Sequence, residues 1–308
     1  MSRVLVAGVD TSTQSTKVRV TDAETGEMVR FGQAKHPDGT SVNPDAWWQA
    51  FQEAAEQAGG LDDVAALAVG PGGGDNAMAS LGLSMGVGDV SISLGTSGVA
   101  AAISPVPAYD MTASVTGFAD CTGHWLPLAC TINGSRISDA GRAALGVDYD
   151  ELAELAAAAE PGAGGITLVP HFDGERTPNR PDATAALYGM TLANTRRENI
   201  ARAFVEGLLC SQRDCLELVK GLGVDVKRIL LIGGGTKFAA VRALAPAILG
   251  MDVELPETDE YVAIGAARQA AWVLSGETEP PTWPVKVETT LTGEPTPQVY
   301  EQYVRWRG

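Results

Sequence analysis

Asp75 follows a glycine run, Pro71-Gly72-Gly73-Gly74, and opens a helical stretch from Asn76 to Leu83. Glycine permits positive φ and close backbone approach. An aspartate at a helix start caps free N–H groups, and the positive end of the helix favours its ionised form. A carboxylate at the mouth of such a loop has the reach to take a proton from a hydroxyl. By itself the motif reads more simply as a plain Asp cap after a glycine turn. Three other turns bear on the choice. Asp10-Thr11-Ser12-Thr13-Gln14-Ser15-Thr16 offers N–H groups and hydroxyls to a phosphate, and Asp10 to a hydrated magnesium ion. A solvated Ser/Thr turn explains the same residues without a ligand, and the two readings stand level. Gly95-Thr96-Ser97-Gly98 is a second tip of this kind, and N–H groups at such turns form anion-binding concavities. Gly233-Gly234-Gly235 lets the backbone approach a flat base or a ribose, although a tight strand-to-helix turn would look the same. No Walker A sequence is present, and the triple glycine lacks the Rossmann spacing.

The elements that must hold these turns are legible. Val4–Val9, Lys17–Thr21 and Met28–Ala34 read as a β meander with the Asp10 turn at its first hairpin. Asn43-Pro44-Asp45 starts a helix whose apolar face holds Trp47, Trp48, Phe51, Ala54, Ala55 and Ala58, with the Trp pair read as core. Val64–Val69 is a buried strand leading into the glycine run. Val90–Leu94 and Val99–Ile103 flank the second tip, so one hairpin with a Thr/Ser tip stands in each half of the chain. Short strands fill 110–131, and Ile137–Leu145 and Asp150–Ala158 are helical. Ile166–Val169 runs into a loop, Pro170 to Pro178, where His171 and Glu175 form a catalytic pair or, as we favour, the loop is an ion-paired structural turn in which Glu175 and Arg176 hold neighbouring segments. A long amphipathic helix covers 196–222. Strand Lys227–Ile232 delivers the triple glycine to helix Ala239–Leu249. Val253–Leu255 is a strand, and a small-residue helix from Val262 to Val273 carries Gly265. The Pro- and Thr-rich tail from Gly276 reads as loosely attached, with a final helical turn at 300–306.

The 308 residues suffice for two domains, and 45% hydrophobic with 19% charged residues is ordinary for a globular protein. A net charge of −16 argues against nucleic acid as a partner and requires that an anionic substrate be held by local devices. Cys121, Cys130, Cys210 and Cys215 form no CxxC pair and read as reduced thiols of a cytoplasmic protein. Met1-Ser2-Arg3-Val4 leads straight into the first strand without a signal peptide, and no apolar run is long enough to cross a membrane.

Taken together, these motifs resemble those of the FGGY carbohydrate kinases. Gly8 to Lys17 is similar to that family's first phosphate motif, and Gly73-Gly74-Asp75-Asn76 to the segment of its catalytic aspartate. Ser93 to Gly98 resembles the second phosphate motif, and Gly174-Glu175-Arg176-Thr177-Pro178 a loop of the second domain. Gly233-Gly234-Gly235 with Gly265-Ala266-Ala267 resembles the adenosine site. The five motifs stand in family order over nearly the whole chain, and xylulokinases are the nearest branch. The resemblance implies an α/β fold of the actin-like ATPase (ribonuclease-H-like) type, with two domains around a nucleotide cleft. It implies transfer of the ATP γ-phosphate, with Mg2+, to a sugar hydroxyl, the sugar being a pentulose such as D-xylulose. It casts Asp75 as the base and Asp10 as the organiser of magnesium. Thr11, Ser12, Gln14, Ser15, Gly95, Thr96 and Ser97 would hold phosphates, and Gly233, Gly234, Gly235 and Gly265 would border adenosine.

The departure from the family is large. After Val69 these kinases continue with Gln-Gln-His-Gly-Met-like and Trp-Asn-Asp-like sugar motifs, whereas here Gly70 runs almost directly into the Asp75 segment. A piece on the order of 150 residues, half of a domain or more, is missing. The expected domains are a truncated one over 1–70, a complete one over 71–280 and a tail over 281–308. Lost cover predicts exposed apolar surface on the truncated domain and self-association, a homodimer being the simplest form. Two other readings stand beside a sugar kinase. One is a nucleotide-binding remnant or slow ATPase. The other, a non-enzymatic actin-like module, would have no use for a sugar-deprotonating base.

Overall fold

The computed structural model describes residues 3–39 and 42–308; Met1 and Ser2, read as leading into the first strand, lie outside the described residues. The chain runs β1 (Leu5–Thr11), β2 (Ser15–Asp22), β3 (Met28–Lys35), α1 (Pro44–Gln57), β4 (Val64–Val69), α2 (Gly70–Gly73) and α3 (Asp75–Gly82). It continues with β5 (Asp89–Leu94), β6 (Gly98–Ala102), β7 (Val115–Ala119), β8 (Trp125–Thr131), α4 (Arg136–Leu145), α5 (Tyr149–Ala158), β9 (Thr167–Val169), β10 (Ala186–Tyr188) and α6 (Arg197–Gly221). Then come β11 (Arg228–Ile232), α7 (Ala239–Leu249), β12 (Val253–Pro256), α8 (Tyr261–Ser275), β13 (Val287–Leu291) and α9 (Pro297–Arg307). The class is α/β, as expected.

Two compact units form. Unit 1 comprises Met1–Gly86, Ala119–His124 and Asp259–Lys286; unit 2 comprises Val87–Phe118, Trp125–Thr258 and Val287–Gly308. The division differs from the expected one at 70 and 280. The Asp75 segment and α8 belong to the first unit, because α8 packs there through glycines. A Cβ on Gly8 of β1 would lie 1.9 Å from the Ala263 carbonyl oxygen, and one on Gly265 would lie 1.8 Å from that of Met78 in α3. No other residue allows backbones so close.

Unit 1 is built on a sheet of order β3-β2-β1-β4. β1 and β2 pair antiparallel from Leu5↔Asp22 to Thr11↔Thr16, and β4 runs parallel to β1. β4 is an outer strand. Its burial alternates between half-buried and exposed, leaving Leu67 and Val69 at 41% and 46% exposure. On α1, Ala50, Ala54 and Ala58 are buried, while Trp47 and Trp48 are exposed, contrary to their reading as core. The helix lies so close to Gly32 of β3 that a Cβ there would be 2.0 Å from the Ala54 carbonyl oxygen. Only alanine fits that seam, so the bulky Trp side chains turn outward, Trp48 against Phe51 at 5.3 Å between ring centroids.

Unit 2 repeats the plan and extends it, with the order β13-β12-β11-β5-β6-β8-β7. β5, β6 and β8 form the antiparallel meander, and β11 runs parallel to β5 as β4 does to β1. β12 then adds a further parallel strand. In unit 1 the sheet stops at β4. The core of unit 2 gathers around α6, with Val205, Leu208, Leu209 and Leu216 fully buried. The tail is not loose. β13 pairs antiparallel with β12, and α9 buries Val299 and Tyr303. Pro and Thr composition resembles that of a linker, but register with β12 and contact with the core are tertiary facts. Among the described residues no helix is long and apolar enough to cross a membrane.

Candidate functional site

In unit 1, Asp10 sits near the end of β1 directly opposite Lys17 of β2 and is only 7% exposed. Lys17 Nζ stands 3.5 Å from Asp10 Oδ2 and donates to Glu260 Oε2 at 2.5 Å. Burial pushes the Asp10 carboxyl up; Lys17 opposes that, while the charges of Glu260 and Asp75 add to it. For Lys17, burial disfavours the ammonium, but its bonds to Glu260 and Asp10 prevail and hold it above the usual lysine value. Two residues on along β2, Arg19 donates to Asp259 at 2.7 Å. The start of α8 is thus pinned to the first hairpin by two cations.

The tip of that hairpin is closed on itself. Ser12 N–H and Oγ–H both donate to the Ser15 carbonyl, and His36 N–H donates to that of Gln14. Gln33 Nε2 donates to Ser15 Oγ at 3.0 Å, and the hydroxyls of Thr11 and Thr16 meet at 3.3 Å. Among the described residues the N–H groups of Thr13 and Gln14 have no acceptor. Polar groups at an exposed turn with their carbonyls already used are free to donate to an anion.

Asp75 is the first residue of α3, and Gly74, at φ 85°, takes the cap position. The side chain therefore does not cap the second or third residue. Its Oδ1 accepts from Asn76 N–H at 2.8 Å and Asn76 Nδ2 at 3.1 Å. Its Oδ2 has no partner among the described residues, and the residue is exposed. A carboxylate oriented at one oxygen and open at the other has the form of a proton acceptor.

In unit 2, Gly95 N–H donates to the Ser97 carbonyl at 3.0 Å, and Gly98 N–H donates to Thr131 Oγ1 at 3.1 Å. Gly134 and Ser135 N–H groups donate to the carbonyls of Thr96 and Gly95 at 2.9 and 2.8 Å. Thr96 and Ser97 are exposed, and their N–H groups and hydroxyls have no partner among the described residues. The tip thus has its carbonyls engaged and the donors of Thr96 and Ser97 free. In the triple glycine, Gly233 has φ 92° and comes so close to β5 that a Cβ would lie 2.7 Å from the Leu94 carbonyl oxygen. Gly234 faces open space, and with Gly235 it lines a cavity of about 400 Å³ together with Ser135, Ser138, Tyr149 and Phe238. That volume suits a small ligand. The rings of Tyr149 and Phe238 meet edge to face at 5.1 Å. Gly265 belongs to unit 1, is buried against α3 and is not among the lining residues.

The loop after β9 is structural. His171 and Glu175 are 2% and 1% exposed, too deep to meet a substrate. The Glu175 carboxylate holds the neighbouring segment as expected, but through the N–H donors of Ile132 and Asn133 and the Arg176 backbone rather than through an ion pair. Sequence reasoning did not assign Lys17, Glu260, Tyr149 or Phe238 to the site. No local signal marks them: Lys17 and Glu260 are 243 residues apart in the chain.

Comparison with known proteins places these features in a family. A model of the FGGY family of carbohydrate kinases, C-terminal domain, matches residues 90–274. The chain is 42% identical to a xylulose kinase of Streptomyces coelicolor over 210 residues, which is 68% of this chain and 42% of that protein. It is 35% identical to a xylulose kinase of Haemophilus influenzae over 212 residues, 68% of this chain and 43% of that one. The matching part thus spans about two fifths of the length of these curated relatives. The crystal structure of xylulose kinase from Bifidobacterium adolescentis superposes with a TM-score of 0.94 at 48% identity, covering 99% of this chain and 100% of that one.

Proposed function

Because the chain belongs to the FGGY family of carbohydrate kinases, we propose that it transfers the γ-phosphate of ATP to a hydroxyl of a pentulose such as D-xylulose. The fold, two α/β sheets of the actin-like ATPase type, suits that reaction. The observation that carries the proposal lies within unit 1: a hairpin tip with the free N–H groups of Thr13 and Gln14, and two carboxylates of different environment, buried Asp10 and exposed Asp75. Gln14, with Thr13, holds phosphate from the first hairpin, and Thr96 and Ser97 do so from the second; Thr11, Ser12, Ser15 and Gly95, whose groups are engaged within the tips, give those tips their shape. Gly233, Gly234 and Gly235, with the cavity beside them, take the adenosine. Gly265 acts on the nucleotide only through the packing of α8. Asp75 accepts the proton of the attacking hydroxyl.

Asp10 is the residue that would hold magnesium. Among the described residues no cluster of three or more His, Cys, Asp or Glu side chains could cage a metal. A single buried carboxylate fits an ion that keeps its waters and binds mainly through phosphate oxygens. When bound, such an ion neutralises charge on the transferring group. Phosphoryl transfer depends chiefly on positioning, so the shortened unit 1 predicts turnover well below that of a full-length relative.

A second reading is favoured by two observations: among the described residues the sheet of unit 1 has no counterpart to β12 of unit 2, and the sequence after Val69 shows no Gln-Gln-His-Gly-Met-like or Trp-Asn-Asp-like motif. The protein would then bind ATP, or hydrolyse it slowly, without phosphorylating sugar. We also assign it to the cytoplasm, where its four free cysteines stay reduced, and to a homodimer.

The test is ADP release from Mg-ATP with and without D-xylulose, for the wild type and Asp75→Ala. The kinase reading expects sugar-dependent release that falls by about 10²-fold or more on substitution, with ATP binding retained. Release indifferent to both sugar and substitution would establish the second reading.

A further inference from the structure

Glu175 is a carboxylate at 1% exposure with no cation bonded to it among the described residues. Its Oε1 accepts from the N–H groups of Ile132 at 2.6 Å and Arg176 at 2.8 Å, and its Oε2 accepts from Asn133 Nδ2 at 2.9 Å. A charge taken out of water without a counter-ion is unfavourable unless several donors satisfy it. Such an arrangement needs an explanation beyond stability, and the segment it grips supplies one.

The gripped segment, 131–135, is the one that clasps the second hairpin tip. Asn133 Nδ2 also donates to the Gly174 carbonyl at 2.8 Å, and the Asn133 carbonyl accepts from Thr131 Oγ1 at 2.7 Å. The same Thr131 oxygen accepts from Gly98 N–H, and Gln212 Nε2 approaches it at 3.3 Å. Gly134 is packed so tightly behind the tip that a Cβ would lie 2.5 Å from the Ser97 carbonyl carbon and 2.6 Å from the Gly95 carbonyl oxygen. The segment gripped by Glu175 at Ile132 and Asn133 thus continues through Gly134 and Ser135, whose N–H groups hold the carbonyls of Thr96 and Gly95. With those acceptors drawn backward, the free N–H groups and hydroxyls of Thr96 and Ser97 are left to a ligand.

We propose that Glu175 is a positioning residue for phosphate: it holds segment 131–135, which in turn fixes the donors of the Thr96–Ser97 tip. Glu175 itself touches no substrate. The inference rests on the kinase reading only for the identity of the anion, a nucleotide polyphosphate.

The experiment compares the affinities of ATP, ADP and adenosine by calorimetry in the wild type, Glu175→Gln and Gly134→Ala. Glu175→Gln keeps the shape but turns one acceptor into a donor facing another donor. Gly134→Ala pushes on the tip from behind without touching Glu175. Both variants should lose about tenfold in ATP and ADP affinity, a change of about 1.4 kcal/mol. Adenosine, which has no phosphate to place, should bind within about twofold of wild type. Equal losses for all three ligands, or no loss for any, would overturn the proposal. Should Glu175→Gln not fold, Asn133→Ala, which removes the side-chain amide that Glu175 Oε2 holds, decides by the same ratio. A wild type that binds adenosine but gains nothing from phosphates overturns the inference; one that binds no nucleotide at all overturns the kinase reading with it.

Discussion

Asp10, Asp75, Glu175 and His171 are four titratable groups whose tasks diverge with their surroundings. Asp10 is buried against Lys17, Asp75 is exposed with one oxygen free, and Glu175 is enclosed by N–H donors. The candidate acids were readable from sequence because each sits in or beside a turn, where type and spacing carry the signal. Their partners were not, because Glu260 and Asn133 reach them only through the fold. His171 carries a testable consequence. Burial, aided by Arg180 and Arg307 and opposed by Glu175, holds its imidazole below the usual 6.5. The unfolded chain therefore takes up a proton near 6.5 while the folded one does not. Stability is whole above that pH and declines as pH falls below it. His171→Gln should flatten this decline, measured as the thermal midpoint against pH; an unchanged slope would show that the group does not contribute.

Among the elements, most hairpins and helices stand where their local patterns put them, as α7 does, but β4 was read as a buried strand and is a half-exposed edge strand, because no further strand covers its outer side among the described residues. The misreadings have a common origin. Trp47 and Trp48 looked like core because helical spacing aligns them with Ala54, but close packing on Gly32 admits only alanine. The tail looked loose because no local feature reveals pairing of β13 with β12. Gly265 looked like a ligand glycine, yet its space is occupied by the backbone of α3. Gly265→Ala should therefore destabilise unit 1 by about 1–3 kcal/mol through overpacking. Chemical denaturation measures this. A neutral result would mean that α8 can withdraw from α3 without loss.

For the whole molecule, the two sheets share one plan, and unit 2 carries it one parallel strand further than unit 1. The outer edge of β4 is left with apolar, uncharged residues and a groove of about 260 Å³ that Met78 and Val273 help to line. Edge strands of this kind are usually guarded by a lysine or a bulge. Pairing of β4 with β4 of a second copy would satisfy it despite the net charge of −16. Sedimentation should show a dimer that Leu67→Lys converts to monomer; a monomeric wild type at micromolar concentration would refute the pairing.

The sequence by itself determined the family, the two hairpin tips, Asp10 beside the first of them and Asp75 after the glycine run, since these depend on residue type over a few consecutive positions. Only the tertiary structure decided which unit owns α3 and α8, which glycines serve packing rather than ligand, and that the tail belongs to the core. Those outcomes depend on how closely distant backbones approach one another, and a linear pattern of side chains does not encode that distance.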